Sequence, residues 1–177
     1  DSLLATEFYG ELGLNGDVHA VPGTLPAALR AAEAGRAGMV PRANGLEASL
    51  SSAEVLLADS LLQVTAHLTG TACADRLRQS RPQASHGSAP DMSEVRGQPL
   101  ARRAMEVAAA GGHNILLMGP PGTGKSMLAR RLPGILPPMS EAEALETAAI
   151  DSILGRKLDL TLWRQRPFRS PHHTASA

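Results

Sequence analysis

The residues best suited to chemistry stand at 119–126. Gly119-Pro120-Pro121-Gly122-Thr123-Gly124-Lys125-Ser126 satisfies the spacing G-x-x-x-x-G-K-[ST] in full, the pattern of a phosphate-binding loop. Each part has a physical reason. The glycines let the backbone curl until successive N–H groups point inward at phosphate oxygens. A helix opening near Gly124 adds unpaired N–H donors and the positive end of its dipole. Lys125 brings a compact charge to the β- and γ-phosphates of ATP, and Ser126 a hydroxyl ligand for Mg²⁺. Pro120 and Pro121 have no N–H to offer, so the cradle falls to the amides of Gly122 through Met127. At ordinary glycine usage, a chance match in such a chain is on the order of one in a hundred. The chain has only two lysines, Lys125 and Lys157, and one of them fills the required position.

Hydrolysis asks for more: an acidic residue at the end of a second apolar strand, to hold Mg²⁺ and orient water. Downstream of Ser126 no apolar run ends in an Asp-Glu pair. Asp151 follows Ala148-Ala149-Ile150 but falls on a predicted helix, and reads as part of a solvated face. Val55-Leu56-Leu57-Ala58-Asp59 resembles such a strand, yet Asp59-Ser60 is more economically the start of a helix. No arginine finger can be assigned. These residues therefore bind nucleotide, with no catalytic residue for turnover expected within them.

The elements that position the loop follow from local signals. Pro99 suits the first turn of a helix running to about Ala110, with Gly111-Gly112 as its stop. His113 to Met118 is a short apolar run, as expected of a buried parallel strand. If its neighbouring strands are missing, Ile115 to Met118 stay partly uncovered. After the loop a helix is expected through Leu132, ending at Pro133, and Ser140 with Glu143 forms a capping box opening a helix to about Leu154.

Upstream, residues 1–70 alternate strand and helix signals. Glu7 to Leu14 suits a strand, Asn15-Gly16 a hairpin turn and Asp17 to Val21 the return. Thr24 is the expected N-cap of a helix over Leu25 to Ala34, stopped by Gly35. Met39-Val40 predicts a short strand, Asn44 the cap of a helix to Leu50, Glu54 to Ala58 a strand, and Ser60 to Leu68 a helix closed by Gly70. Residues 71–90 are polar and read as a linker. The expected organisation is an α/β domain at 1–70, a linker at 71–90 and a nucleotide domain at 91–177.

Composition sets bounds. The 177 residues are 43% hydrophobic but only 2% aromatic, which suffices for an aliphatic core and leaves little stacking surface for bases. Net charge is zero, so no global basic field marks a nucleic-acid binder. Arg164, Arg166 and Arg169 form a local basic cluster that suits either DNA phosphates or a subunit contact. Cys73 is the single cysteine, which fits a reducing compartment. With no long apolar run and no signal peptide, a cytoplasmic location without a membrane partner is expected, although the chain begins at Asp1 rather than Met.

Three segments together resemble the Mg-chelatase-like AAA+ ATPases of the YifB/ComM family. They are Asp91-Met92-Ser93-Glu94-Val95-Arg96-Gly97-Gln98, Val107 to His113 with the loop, and Arg166-Pro167-Phe168-Arg169-Ser170-Pro171-His172-His173-Thr174-Ala175-Ser176. The fold implied is the second part of a Lon-protease-like α/β domain followed by the N-terminal part of a P-loop AAA+ domain. The resemblance implies an ATP- and Mg²⁺-dependent homo-oligomeric ring, a hexamer, acting on DNA in branch migration. It places Val95 to Gln98 near the adenine and the hydrolytic residues after Ala177. Gly10 to Val18 and Val21-Pro22-Gly23 are similar to the Lon-like module. Where Lon peptidases carry a catalytic Lys this chain has Ala27, which leaves that dyad without its base and points to an architectural role. His172 and His173 read as structural or inter-subunit residues rather than metal ligands. Two alternatives stay open: the ATPase subunit of a metal chelatase, and a non-hydrolysing nucleotide-binding fragment.

Overall fold

The computed structural model describes residues 3–79, 82 and 90–171. They fall into two units, Asp1–Pro82 with Leu145–Leu160 and Gln83–Ala144 with Thr161–Ala177. The stretch 145–160, which the sequence groups with the nucleotide domain, thus belongs to the first unit.

In chain order the first unit opens with β1 (Thr6–Phe8), β2 (Glu11–Leu12) and β3 (Val18–His19), followed by α1 (Thr24–Glu33) and β4 (Ala37–Pro41). Next come α2 (Gly45–Ala48), β5 (Val55–Ala58), α3 (Leu61–Leu68) and β6 (Asp75–Leu77). The sheet order is β1-β4-β5-β6, with β2-β3 a separate ribbon. β1 runs parallel to β4 and β4 to β5, whereas β6 returns antiparallel to β5. The single strand expected over 7–14 is therefore two, split at Gly10. The predicted hairpin forms around Gly16, pairing Leu12 with Val18.

β4 and β5 read as continuous apolar runs because both their faces are covered. Val40, Val55 and Leu57 pack with Ala28 of α1 and Ala48 of α2, while Met39, Leu56 and Ala58 face Val64 of α3. This is period-two alternation between two apolar layers. β6 lies inside the expected linker. It escaped notice because it offers one apolar residue, Leu77, to the core. Its polar residues form exposed pairs, Asp75 with Arg42 and Arg76 with Glu54.

Two helix starts differ from expectation. Thr24 does not cap α1: it lies inside the helix and its hydroxyl donates to the Val21 carbonyl. The residue before it, Gly23, takes the cap position in a left-handed conformation and has no side chain to offer. Ser152 supplies the missing acceptors. Its carbonyl accepts from Gly23 N–H at 3.0 Å and its hydroxyl from Leu25 N–H at 3.3 Å. Such long-range capping has no local sequence signal. Ser152→Ala is expected to lower stability by about 1 kcal/mol, the usual cost of a lost cap, as read from a urea unfolding curve. Asn44 likewise does not cap α2. Its carboxamide accepts from Val21 N–H and donates to Val21 O, clamping that peptide.

The second unit holds α4 (Pro99–Gly111), α5 (Lys125–Ala129) and α6 (Leu132–Ile135), and α7 (Glu141–Ile153) begins in it and passes into the first unit. Pro99 starts α4 and Gly112 ends it in the left-handed region, as the sequence indicates. The helix after the loop is shorter than expected. Pro133 opens α6 rather than ending α5, a position where its missing N–H costs nothing.

The capping box of α7 forms in both directions. Ser140 N–H donates to Glu143 Oε2 at 2.7 Å, and Glu143 N–H to Ser140 Oγ at 3.2 Å. Bonds from the Ser140 amide and hydroxyl, then the Arg166 guanidinium, hold the Glu143 carboxyl below the ordinary glutamate range. A depressed pKa contributes stability that is full above the unfolded value of about 4.3 and disappears as pH falls through the folded one. Below that window the wild type and Glu143→Gln are expected to converge in melting temperature, and above it to separate.

Candidate nucleotide-binding site

Unit two builds its loop on a small apolar base. Met92, Val95, Met105 and Leu128 are buried together, with Ile115, Leu117, Leu132 and Ile135 packed against them. The segment 113–118 alternates as a strand does, since Ile115 and Leu117 face this base while Leu116 and Met118 are 80% and 82% exposed. It is nonetheless no strand, because a ladder needs a partner and none pairs with it among the described residues. The uncovered surface expected of Ile115 to Met118 is thus present at alternate residues.

The loop itself is folded. Gly122 and Gly124 both adopt φ of 83°, a left-handed conformation that would strain any other residue in this curl. Lys125 turns back over the loop, where its ammonium donates to Gly119 O at 2.8 Å, Pro120 O at 2.7 Å and Thr123 Oγ1 at 3.3 Å. The Thr123 hydroxyl in turn donates to Pro120 O at 2.9 Å. The ammonium's three donors thus rest on three neutral oxygens. Anionic phosphate oxygens can replace these with a gain, because a full negative charge adds ion–ion attraction to hydrogen bonds that the ammonium already strengthens. Ser126, in the first turn of α5, is exposed and open to a metal ion, as Met127 is to a phosphate. The donor set suits a phosphate chain with Mg²⁺.

Val95 and Gln98 differ in what they can offer. Val95 is 1% exposed and its side chain belongs to the apolar base, so only its backbone is available to a base. Gln98 is exposed, and its carboxamide donates to Thr123 O at 3.2 Å. Nothing in its sequence neighbourhood announced that contact with the loop.

The stretch holding this loop, residues 91–177, matches the family described as magnesium chelatase, subunit ChlI. Over 99% of its length the chain is 48% identical to YifB, an uncharacterized protein of Salmonella typhimurium, and it covers 35% of that protein. It is 42% identical to the competence protein ComM of Haemophilus influenzae, over 96% of this chain and 34% of ComM. The chain belongs to the Mg-chelatase-like YifB/ComM family. It spans about a third of the length of the curated relatives it matches.

Other residues singled out in this YifB/ComM-family chain have structural partners. Asp59, in the first unit, accepts two bonds from Arg42 Nε, at 3.1 and 2.9 Å. Asp151, also in the first unit, pairs with Arg156 at 2.9 Å. Neither carboxylate stands free as a metal ligand. Arg164 Nε donates to Met139 O at 2.6 Å, and Arg166 Nε to Pro137 O at 3.0 Å. Two arginines of the basic cluster thus brace the chain before α7. Ala27 lies on α1, and Cys73 is exposed. His172 and His173 lie outside the described residues. Among the described residues no helix is long and apolar enough to cross a membrane.

Proposed function

We propose that this chain is the ATP- and Mg²⁺-binding portion of a cytoplasmic AAA+ ring motor, a hexamer, that acts on DNA in the manner of ComM-type branch migration. The observation that carries the nucleotide part is the complete glycine–lysine–serine loop, with the Lys125 ammonium held by exchangeable oxygens of that loop. In this reading the amides of Gly122 to Met127 and Lys125 hold the phosphates, and Ser126 holds Mg²⁺. Bound Mg²⁺ supplies charge neutralisation across the β- and γ-phosphates. Likeness to a competence protein supports DNA as the partner.

The match of residues 91–177 to a magnesium chelatase subunit favours a second reading, the ATPase of a metal chelatase. The two separate on the partner that stimulates turnover. ATP hydrolysis is to be measured for this chain and for a chain of the relatives' full length, with and without branched DNA. The motor reading expects turnover by the long chain, raised by DNA. Turnover indifferent to DNA contradicts it and favours the chelatase. Binding without turnover by the short chain fits a fragment that holds nucleotide alone.

A further inference from the structure

We propose that Gln98 is a positioning residue of the nucleotide loop, whose carboxamide fixes the Thr123–Gly124 peptide so that the Gly124 N–H faces the phosphates. This rests on the nucleotide reading above and assigns a residue outside the loop motif to it.

Three observations converge on Gln98. It is one of only two non-glycine residues with positive φ among the described residues, at φ 52° and ψ 50°. The following Pro99 disfavours the ordinary helical conformation for the residue before it. The Gln98 carbonyl accepts from Arg102 N–H at 3.0 Å, the first bond of α4, so the helix start holds this backbone while the side chain projects to the loop. There Nε2 lies 3.2 Å from Thr123 O, and 3.4 Å from where a Cβ on Gly124 would stand. The side chain therefore meets both residues of one peptide.

That peptide needs a brace. A trans peptide is planar, so its C=O and N–H point in opposite directions. With the Thr123 carbonyl drawn to Gln98, the Gly124 N–H points away from Gln98, as a cradle donor requires. Gly124, with φ of 83°, accepts either sign of φ, so the peptide has little intrinsic resistance to flipping. A flipped peptide would turn a carbonyl oxygen on the phosphates. In the orientation the structure shows, the Gln98 NH₂ bonds the carbonyl, and a flipped peptide loses that bond unless the carboxamide also turns over to offer its Oε1 to the N–H. Gln98 thereby opposes the flip.

The test compares ATP affinity by calorimetry in the full chain for the wild type, Gln98→Ala, Gln98→Gly, Gln98→Glu and Lys125→Ala, with melting temperatures alongside. Gln98→Ala is expected to bind about three- to tenfold more weakly, the value of one hydrogen bond. Gln98→Gly, which suits the left-handed backbone and should fold as well as the wild type, is expected to be equally weak. Gln98→Glu places an acceptor against the carbonyl and should be weakest at neutral pH. Relative to the wild type it should recover as pH falls through about 4.3, where its carboxyl protonates and can donate. A merely structural residue gives no such pH profile. Wild-type affinity in Gln98→Gly, or in Gln98→Ala and Gln98→Glu at every pH, overturns the proposal while Lys125→Ala still abolishes binding. A wild type that fails to bind ATP overturns the nucleotide reading and this proposal with it.

Discussion

Lys125→Ala is expected to weaken ATP binding by about a hundredfold or more, with little change in melting temperature. The ammonium makes charge-assisted contacts with phosphate, each worth about 1.5–3 kcal/mol, and every 1.4 kcal/mol is about tenfold in affinity. In the structure the same ammonium bonds exposed oxygens of its own loop at 2.7–3.3 Å, so its loss costs the fold little. Lys125→Arg should also bind poorly, since a planar fork cannot replace a compact charge inside this curl. A wild-type affinity in Lys125→Ala, measured by calorimetry, contradicts the role given to the loop.

Leu128→Ala is the second large effect. Leu128 is 2% exposed and packs with Met92, Val95 and Met105 beneath the loop. Truncating such a leucine costs about 2–5 kcal/mol, a large share of the 5–15 kcal/mol that stabilises a typical domain. The loss should extend to function. α5 is five residues long, too short to persist without tertiary packing, and it carries Lys125 and Ser126. Denaturant unfolding is expected to show the destabilisation, and ATP affinity to fall with it. Leu116→Ala is the contrast: its side chain already faces solvent, and stability should change little.

These effects trace back to signals of unequal range. The loop motif, the capping box at Ser140 and Glu143, and the Pro99 and Gly112 ends of α4 are local chemistry, and each forms where the residues indicated. The mixed α/β character of the chain was legible for the same reason, since alternating apolar runs and glycine stops define short elements. What escaped depends on contacts distant in sequence. The cap of α1 comes from Ser152, which no local pattern around Thr24 could announce. β6 is a strand because β5 offers it an edge and Arg42 reaches Asp75, not because its own residues insist. Conversely, 113–118 has the side-chain alternation of a strand but no partner to pair with among the described residues. Around the loop, Val95 faces inward and Gln98 reaches Thr123, which no local pattern indicates. A sequence shows that a residue is polar or apolar more readily than which way it turns.

The central claim is that residues 119–127 hold the phosphate chain of a nucleotide, and calorimetric titration of this chain with ATP, ADP and AMP in the presence of Mg²⁺ tests it most directly. Tight binding of ATP and ADP with AMP at least about a hundredfold weaker is the expected result, because the β-phosphate is what the loop amides and Lys125 address. Equal affinity for all three, or no binding of ATP, would contradict it.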